Sequence, residues 1–221
     1  SGTTIFNRAT AIANTNLTFQ TTATRLDVKE VTSVAGDTII TFPRTYLPGT
    51  TGWIAPANAS NTQALVVAGG AGATRGIGAI YWGQGGGGGE VKSTTTTLTS
   101  GQSYPVIVGQ GGAGTKSGTA DMGANGQQSS FASLTATGGF APNNTTTGNA
   151  GAFGGTSGNG NAGGNGGANG AVGCSPGSCG AGGGGGAGGS GSGLNGGAGV
   201  TSTISGSSRI YGSGGGGRNN T

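Results

Sequence analysis

Acid–base and metal chemistry in this chain would have to come from five carboxylates and two cysteines, because the sequence contains no histidine. The acids are Asp27, Glu30, Asp37, Glu90 and Asp121. No two stand at a spacing that marks a glycosidase pair. Without His there is neither a Ser-His pair nor an imidazole base. Asp27 and Glu30 read as solvated strand or turn residues. Cys174 and Cys179 bracket Ser-Pro-Gly-Ser. With no His and no third Cys they cannot complete a zinc site, and their spacing is not that of a redox CxxC. They read as a small structural disulfide closing a turn with Pro176-Gly177 at its tip, which implies an oxidising or extracellular setting. Gly69-Gly70-Ala71-Gly72 follows an apolar run but lacks the helix and the Lys-Ser/Thr of a phosphate-binding loop. The glycine repeats carry no acid, so a calcium-binding nonapeptide is excluded as well. No catalytic residue, cofactor or metal is expected, and the chain reads as a non-enzyme.

Two kinds of surface group are left. The aromatics Tyr81, Trp82, Phe140, Phe153 and Tyr211 lie in or between glycine-rich stretches and are candidates for a binding surface. The plainer reading is that they plug the seam between two parts of the fold. Sequons at Asn16, Asn58, Asn143, Asn144 and Asn219 are candidate glycosylation sites only if the source glycosylates. The nine basic residues are scattered, so the net charge of +4 makes no nucleic-acid patch. No apolar run is long enough for a membrane-spanning helix.

The elements that must hold these groups are unusual. Glycine accounts for 57 of 221 residues, and charged residues for 6%. Collagen is excluded, because there are only 6 Pro and the glycine register slips. The lack of charge, Pro, Glu and Lys argues against ordinary disorder. Residues 1–68 hold only four glycines and read as short strands at 3–6, 17–22, 26–31 and 38–42, with turns between them. Further strands are expected at 64–68, 90–99, 104–108 and 131–137, separated by glycine loops at 85–89 and 109–114. No segment has a sustained helical period.

Residues 138–221 hold 34 glycines, often at every third position, as in 164, 167, 170, 173 and in 177, 180, 183, 186, 189. A flexible linker would suit the composition but not the period. The periodic reading is a bundle of polyproline-II-like threads, with three residues per turn and no internal hydrogen bonds. Such threads must pair their peptide groups laterally, and glycine lets the backbones meet. Ordering it is costly, since glycine loses the most backbone entropy.

Several spaced motifs run through the central region. They are Trp53-Ile54-Ala55-Pro56, Leu65-Val66-Val67-Ala68-Gly69-Gly70-Ala71-Gly72, the glycines 85–89 before Glu90-Val91, Leu98-Thr99-Ser100-Gly101-Gln102-Ser103-Tyr104-Pro105-Val106-Ile107-Val108-Gly109, and Gly126-Gln127-Gln128-Ser129-Ser130-Phe131. Together they resemble the glycine-rich domain of phage tail-fibre and adhesin proteins and of secreted bacterial surface proteins. The resemblance covers roughly residues 50–217. It implies an all-β protein: a jelly-roll-like β-sandwich with a long glycine-rich insertion folded as packed polyglycine-II helices, and almost no α-helix. The expected division is an N-terminal β-arm and small β-module over 1–50 and the glycine-rich domain over 51–221, with the polyglycine region at about 138–217.

Members of that family usually end in a β-branched strand, whereas this chain ends Gly217-Arg218-Asn219-Asn220-Thr221. A sandwich short of a strand would expose an edge. The N-terminal arm, with Ile5, Phe6, Ile12, Leu17 and Phe19, could fill that gap in a neighbouring subunit and build a filament, or it could pack on its own sandwich. The function expected is a non-catalytic extracellular structural or adhesive protein of a cell surface or virion. It would be a fibre subunit or tip whose partners are copies of itself and a surface glycan or protein, with no nucleic acid and no membrane insertion. An ice-binding polyglycine protein is the alternative. An enzyme with an unrecognised carboxylate site ranks below it.

Overall fold

The computed structural model describes residues 3–10, 29–34, 37–42, 52–57, 59, 61–74, 83–115, 122–142, 154–162 and 181–217. The protein is all-β, with no helix among these residues. The strands are β1 (Thr3–Thr10), β2 (Lys29–Val34), β3 (Asp37–Phe42), β4 (Trp53–Ile54), β5 (Thr62–Val67), β6 (Val91–Thr96), β7 (Ser103–Tyr104), β8 (Val106–Ile107), β9 (Ser129–Phe131), β10 (Leu134–Ala136), β11 (Val200–Ser202) and β12 (Arg209–Tyr211).

β5 is the apolar run that the sequence marks, and both of its faces are covered. Ala64 and Val66 enter one core with Ile40, Phe42, Trp53, Val106, Val108 and Phe131. Leu65 and Val67 enter a second core with Ile39, Val91, Ala187 and Ile204. A strand buried on both faces reads as a continuous apolar run rather than an alternation. The sheet that carries it has the order β2-β3-β1-β5-β6. On one side β9 and β10, from the three-stranded sheet β10-β9-β8, pack across β5. Phe131 anchors that interface, 6.0 Å edge-on from Trp53 and 6.0 Å from Tyr104. On the other side the β11–β12 hairpin supplies Val200 and Tyr211.

Two strand expectations change, and the N-terminal arm takes one of its two expected places. The stretch 131–137 is not one strand. Ala132 has φ of +50°, a left-handed turn conformation, and Leu134 folds back opposite Phe131. The stretch 104–108 is divided at Pro105, which has no N–H to give to a ladder. The N-terminal strand lies between β3 and β5 of its own chain, with Phe6 opposite both Ile40 and Ala64. Ile5 and Phe6 are therefore placed in that sheet, while Ile12, Leu17 and Phe19 fall outside the described residues. The five-stranded sheet thus draws strands from both sides of residue 50.

The largest difference concerns the glycines. The bundle begins at residue 68, not near 138, and the glycines 85–89 run through it rather than forming a loop. Extended threads at 68–74, 109–115, 122–128, 137–142, 154–158, 181–186, 195–199 and 212–217 surround or extend from thread 83–90. Bonds recur at every third residue. Ala68, Ala71 and Thr74 donate to Glu90, Gly87 and Gln84 at 3.0, 2.8 and 3.1 Å. Gly85 and Gly88 donate to Gly182 and Gly185, and Gly87 and Glu90 donate to Phe140 and Thr137. Gly155 and Gly158 donate back to Gly85 and Gly88. This is the lattice of polyglycine II: a threefold screw whose peptide groups pair with a different neighbour at each step.

The reason five consecutive glycines occupy its centre follows from where side chains would go. A Cβ on Gly85 or Gly88 would fall on the carbonyl of Gly215 or Gly212. On Gly86 or Gly89 it would meet Ala71 or Ala68, and on Gly87 it would meet Thr156. Only a run of glycines is bare on every side. A thread with glycine at every third position is bare on one side and fits the periphery. The α-hydrogens aimed at these carbonyls add weak C–H···O contacts in place of side-chain packing.

Candidate binding groove

Thread 137–142 leaves the lattice at Phe140. Up to that point its amides serve neighbours: Gly139 N–H donates to Gly69 and Phe140 N–H donates to Thr156 at 2.8 Å. Pro142 is fully buried and has no N–H to donate. Beyond Phe140 the Ala141 N–H is taken by the Asn125 side chain, whose Oδ1 lies 2.8 Å away. Gly155 passes close beneath, since a Cβ there would fall on the Phe140 carbonyl.

The result is an open groove of about 650 Å³ between residues 122–125, 140–142 and 154–156. Its apolar rim is Met122, 56% exposed, and Phe140, 43% exposed. Asn125 and Thr156 add side-chain polar groups, and no charged side chain is among the described residues that line it. A flat ring and a thioether over a floor of peptide groups suit a neutral ligand with an apolar face and hydrogen-bonding edges.

Of the other expected surface aromatics, Tyr211 is the one among the described residues. Tyr211 is half-buried against the second core and its hydroxyl lies 3.4 Å from Ser205 Oγ, which is the seam-filling role. Tyr81, Trp82 and Phe153 fall outside the described residues, as do Cys174 and Cys179 and the sequons Asn16, Asn58, Asn143, Asn144 and Asn219. Met122, Asn125 and Thr156 were not anticipated. The one available signal was Met122, a lone thioether in a stretch offering it little to pack against.

Carboxylate chemistry can be followed at one acid. Glu90 Oε2 accepts the Thr137 N–H at 2.7 Å, and Oε1 lies 3.2 Å from Lys92 Nζ. Lys92 Nζ also donates to the Thr135 carbonyl at 2.8 Å. These groups tie β6 and the central thread to β10. Asp27 and Asp121 lie outside the described residues. Among the described residues no cluster of three or more His, Cys, Asp or Glu could hold a metal, and no helix is long and apolar enough to cross a membrane. Three of the four Gly69-Gly70-Ala71-Gly72 amides that a phosphate would need are engaged: Gly69 donates to Gln127, Ala71 to Gly87 and Gly72 to Ala124.

The family described as a glycine-rich domain matches residues 45–221. No curated protein and no solved structure matches the chain.

Proposed function

Taking as premise that the chain belongs to the glycine-rich domain family, as its match over residues 45–221 establishes, we propose that it is a non-catalytic structural and adhesive protein of an extracellular fibre, of the kind found in phage tail fibres and bacterial surface adhesins. The observation that carries this reading is the lattice around thread 83–90, in which backbone bonds commit every face of the chain to a neighbour. Such a body is a scaffold that tolerates change in its outward loops. The groove at Phe140 and Met122 is where it would meet a neutral surface glycan or protein segment.

Assembly would use the central strand β1. β1 pairs on both sides within its own chain. Exchanging that same strand between copies would preserve every pair while joining subunits. The sheet edges β2 and β6 offer further contact.

The test combines electron microscopy with a cross-link, in a chain whose Cys174 and Cys179 are replaced by Ser. Phe6→Cys and Ala64→Cys place two thiols opposite each other across β1 and β5, within disulfide reach. Filaments whose chains become covalently joined support strand exchange. Single particles with all cross-links inside one chain overturn the filament reading.

A further inference from the structure

Asparagine followed by glycine is the pair most prone to cyclise, because glycine puts no side chain in the way of its own amide nitrogen. The described residues contain three such pairs: Asn125-Gly126, Asn159-Gly160 and Asn195-Gly196. All three asparagines are exposed, so exposure does not separate them. Their hydrogen bonds do.

In the first pair both reacting groups are engaged. Gly126 N–H donates to Gly139 at 2.9 Å, and Asn125 Oδ1 accepts from Ala141 at 2.8 Å. The second pair is held the same way. Gly160 N–H donates to Ser157 at 2.9 Å, and Asn159 Oδ1 accepts from Val91 at 3.2 Å. The third pair differs. The Asn195 backbone is pinned in a tight turn with Ser192, donating at 2.9 Å and accepting at 3.1 Å. No hydrogen bond among the described residues holds its side chain or the Gly196 amide.

We propose that Asn195 is a self-modification site that alters the edge of the glycine bundle as the protein ages. Hydroxide removes the Gly196 amide proton. The nitrogen then bonds to Asn195 Cγ, the Cγ–Nδ2 bond breaks, and ammonia leaves with a proton drawn from water. Water opens the resulting cyclic imide at one carbonyl or the other, giving aspartate or isoaspartate. The net change is water in and ammonia out, with no oxidant or cofactor.

The position makes the product consequential. Gly214 and Gly217 donate to Gly197 and to Leu194 of that turn at 3.0 and 2.8 Å, three residues apart on each side. The modified link lies between those two acceptors. Isoaspartate inserts one extra backbone carbon there, so the two bonds no longer match the threefold repeat of thread 212–217. Either product also places a carboxylate in a stretch, 181–217, whose one charged side chain is Arg209.

The test is to age the full-length folded chain at mildly alkaline pH and map it with elastase peptides, using fragmentation that separates isoaspartate from aspartate. Each Asn-Gly pair is scored by its own peptide, including Asn165 and Asn169, which fall outside the described residues. Asn195 is expected to convert about tenfold faster than Asn125 and Asn159, the factor set by having to open a lattice bond first. In denaturant the three rates should converge. Hydrogen exchange at Gly214 and Gly217 should rise with ageing, and Asn195→Gln should abolish that rise. Equal conversion of the three pairs in the folded chain, or exchange at Gly217 that rises equally in the Asn195→Gln variant, overturns the proposal.

Discussion

The sandwich and the glycine bundle meet along β5 and thread 68–74, yet they cohere by opposite means. In the sandwich, side chains such as Phe131, Val66 and Ile40 exclude water, and the backbone ladder is scaffolding for them. In the bundle the backbone is the contact surface, and side chains are excluded wherever threads touch. The first kind of core tolerates swaps that conserve volume. The second tolerates no added carbon on an inward position and almost anything on an outward one. Leaving one peptide group unpaired is costly in either region, because its desolvation is uncompensated. In the bundle that penalty is the main constraint on sequence.

The comparison is sharpest at the two centres. Gly87→Ala adds a single methyl group that lands on the Thr156 carbonyl. It should destabilise the protein by about 3 kcal/mol or more, as much as emptying the hydrophobic centre with Phe131→Ala, for which about 3–5 kcal/mol is expected. Chemical denaturation of both variants measures this. A near-neutral Gly87→Ala would mean that the threads are not in contact. A smaller effect is expected where a side chain substitutes for a thread. Asn161 Nδ2 donates to Gly186 and Ala187 at 2.8 and 3.1 Å. Asn161→Ala should cost about 1–2 kcal/mol, with the loss of exchange protection confined to residues near 186. The smallest effect belongs to Gly189, where a Cβ meets nothing. Gly189→Ala should change stability by no more than about 0.5 kcal/mol. If Gly189→Ala cost as much as Gly87→Ala, glycine's role would lie in chain flexibility rather than in packing.

Much of this architecture was legible in the residues. The apolar run at 64–68 marks a buried strand; of the every-third glycines, those at 164–173 lie outside the described residues. The centre of the lattice was not legible. Five glycines in a row look the same in a loop as in a bundle, because their partners come from residues 68–74, 154–158 and 212–217. The fold of 131–137 was hidden for a local reason: Ala132 takes a left-handed turn that alanine does not advertise. The groove was not legible because Phe140 meets residues 122–125 and 154–156 across the lattice, far from it in sequence.

Residue-resolved hydrogen exchange of the full-length protein tests the central claim most directly. If backbone pairing alone makes the bundle solid, the amides of Gly87, Gly88 and Gly185 should exchange as slowly as that of Val66 in β5. Glycine amides exchanging at unfolded-peptide rates beside a protected Val66 would contradict it.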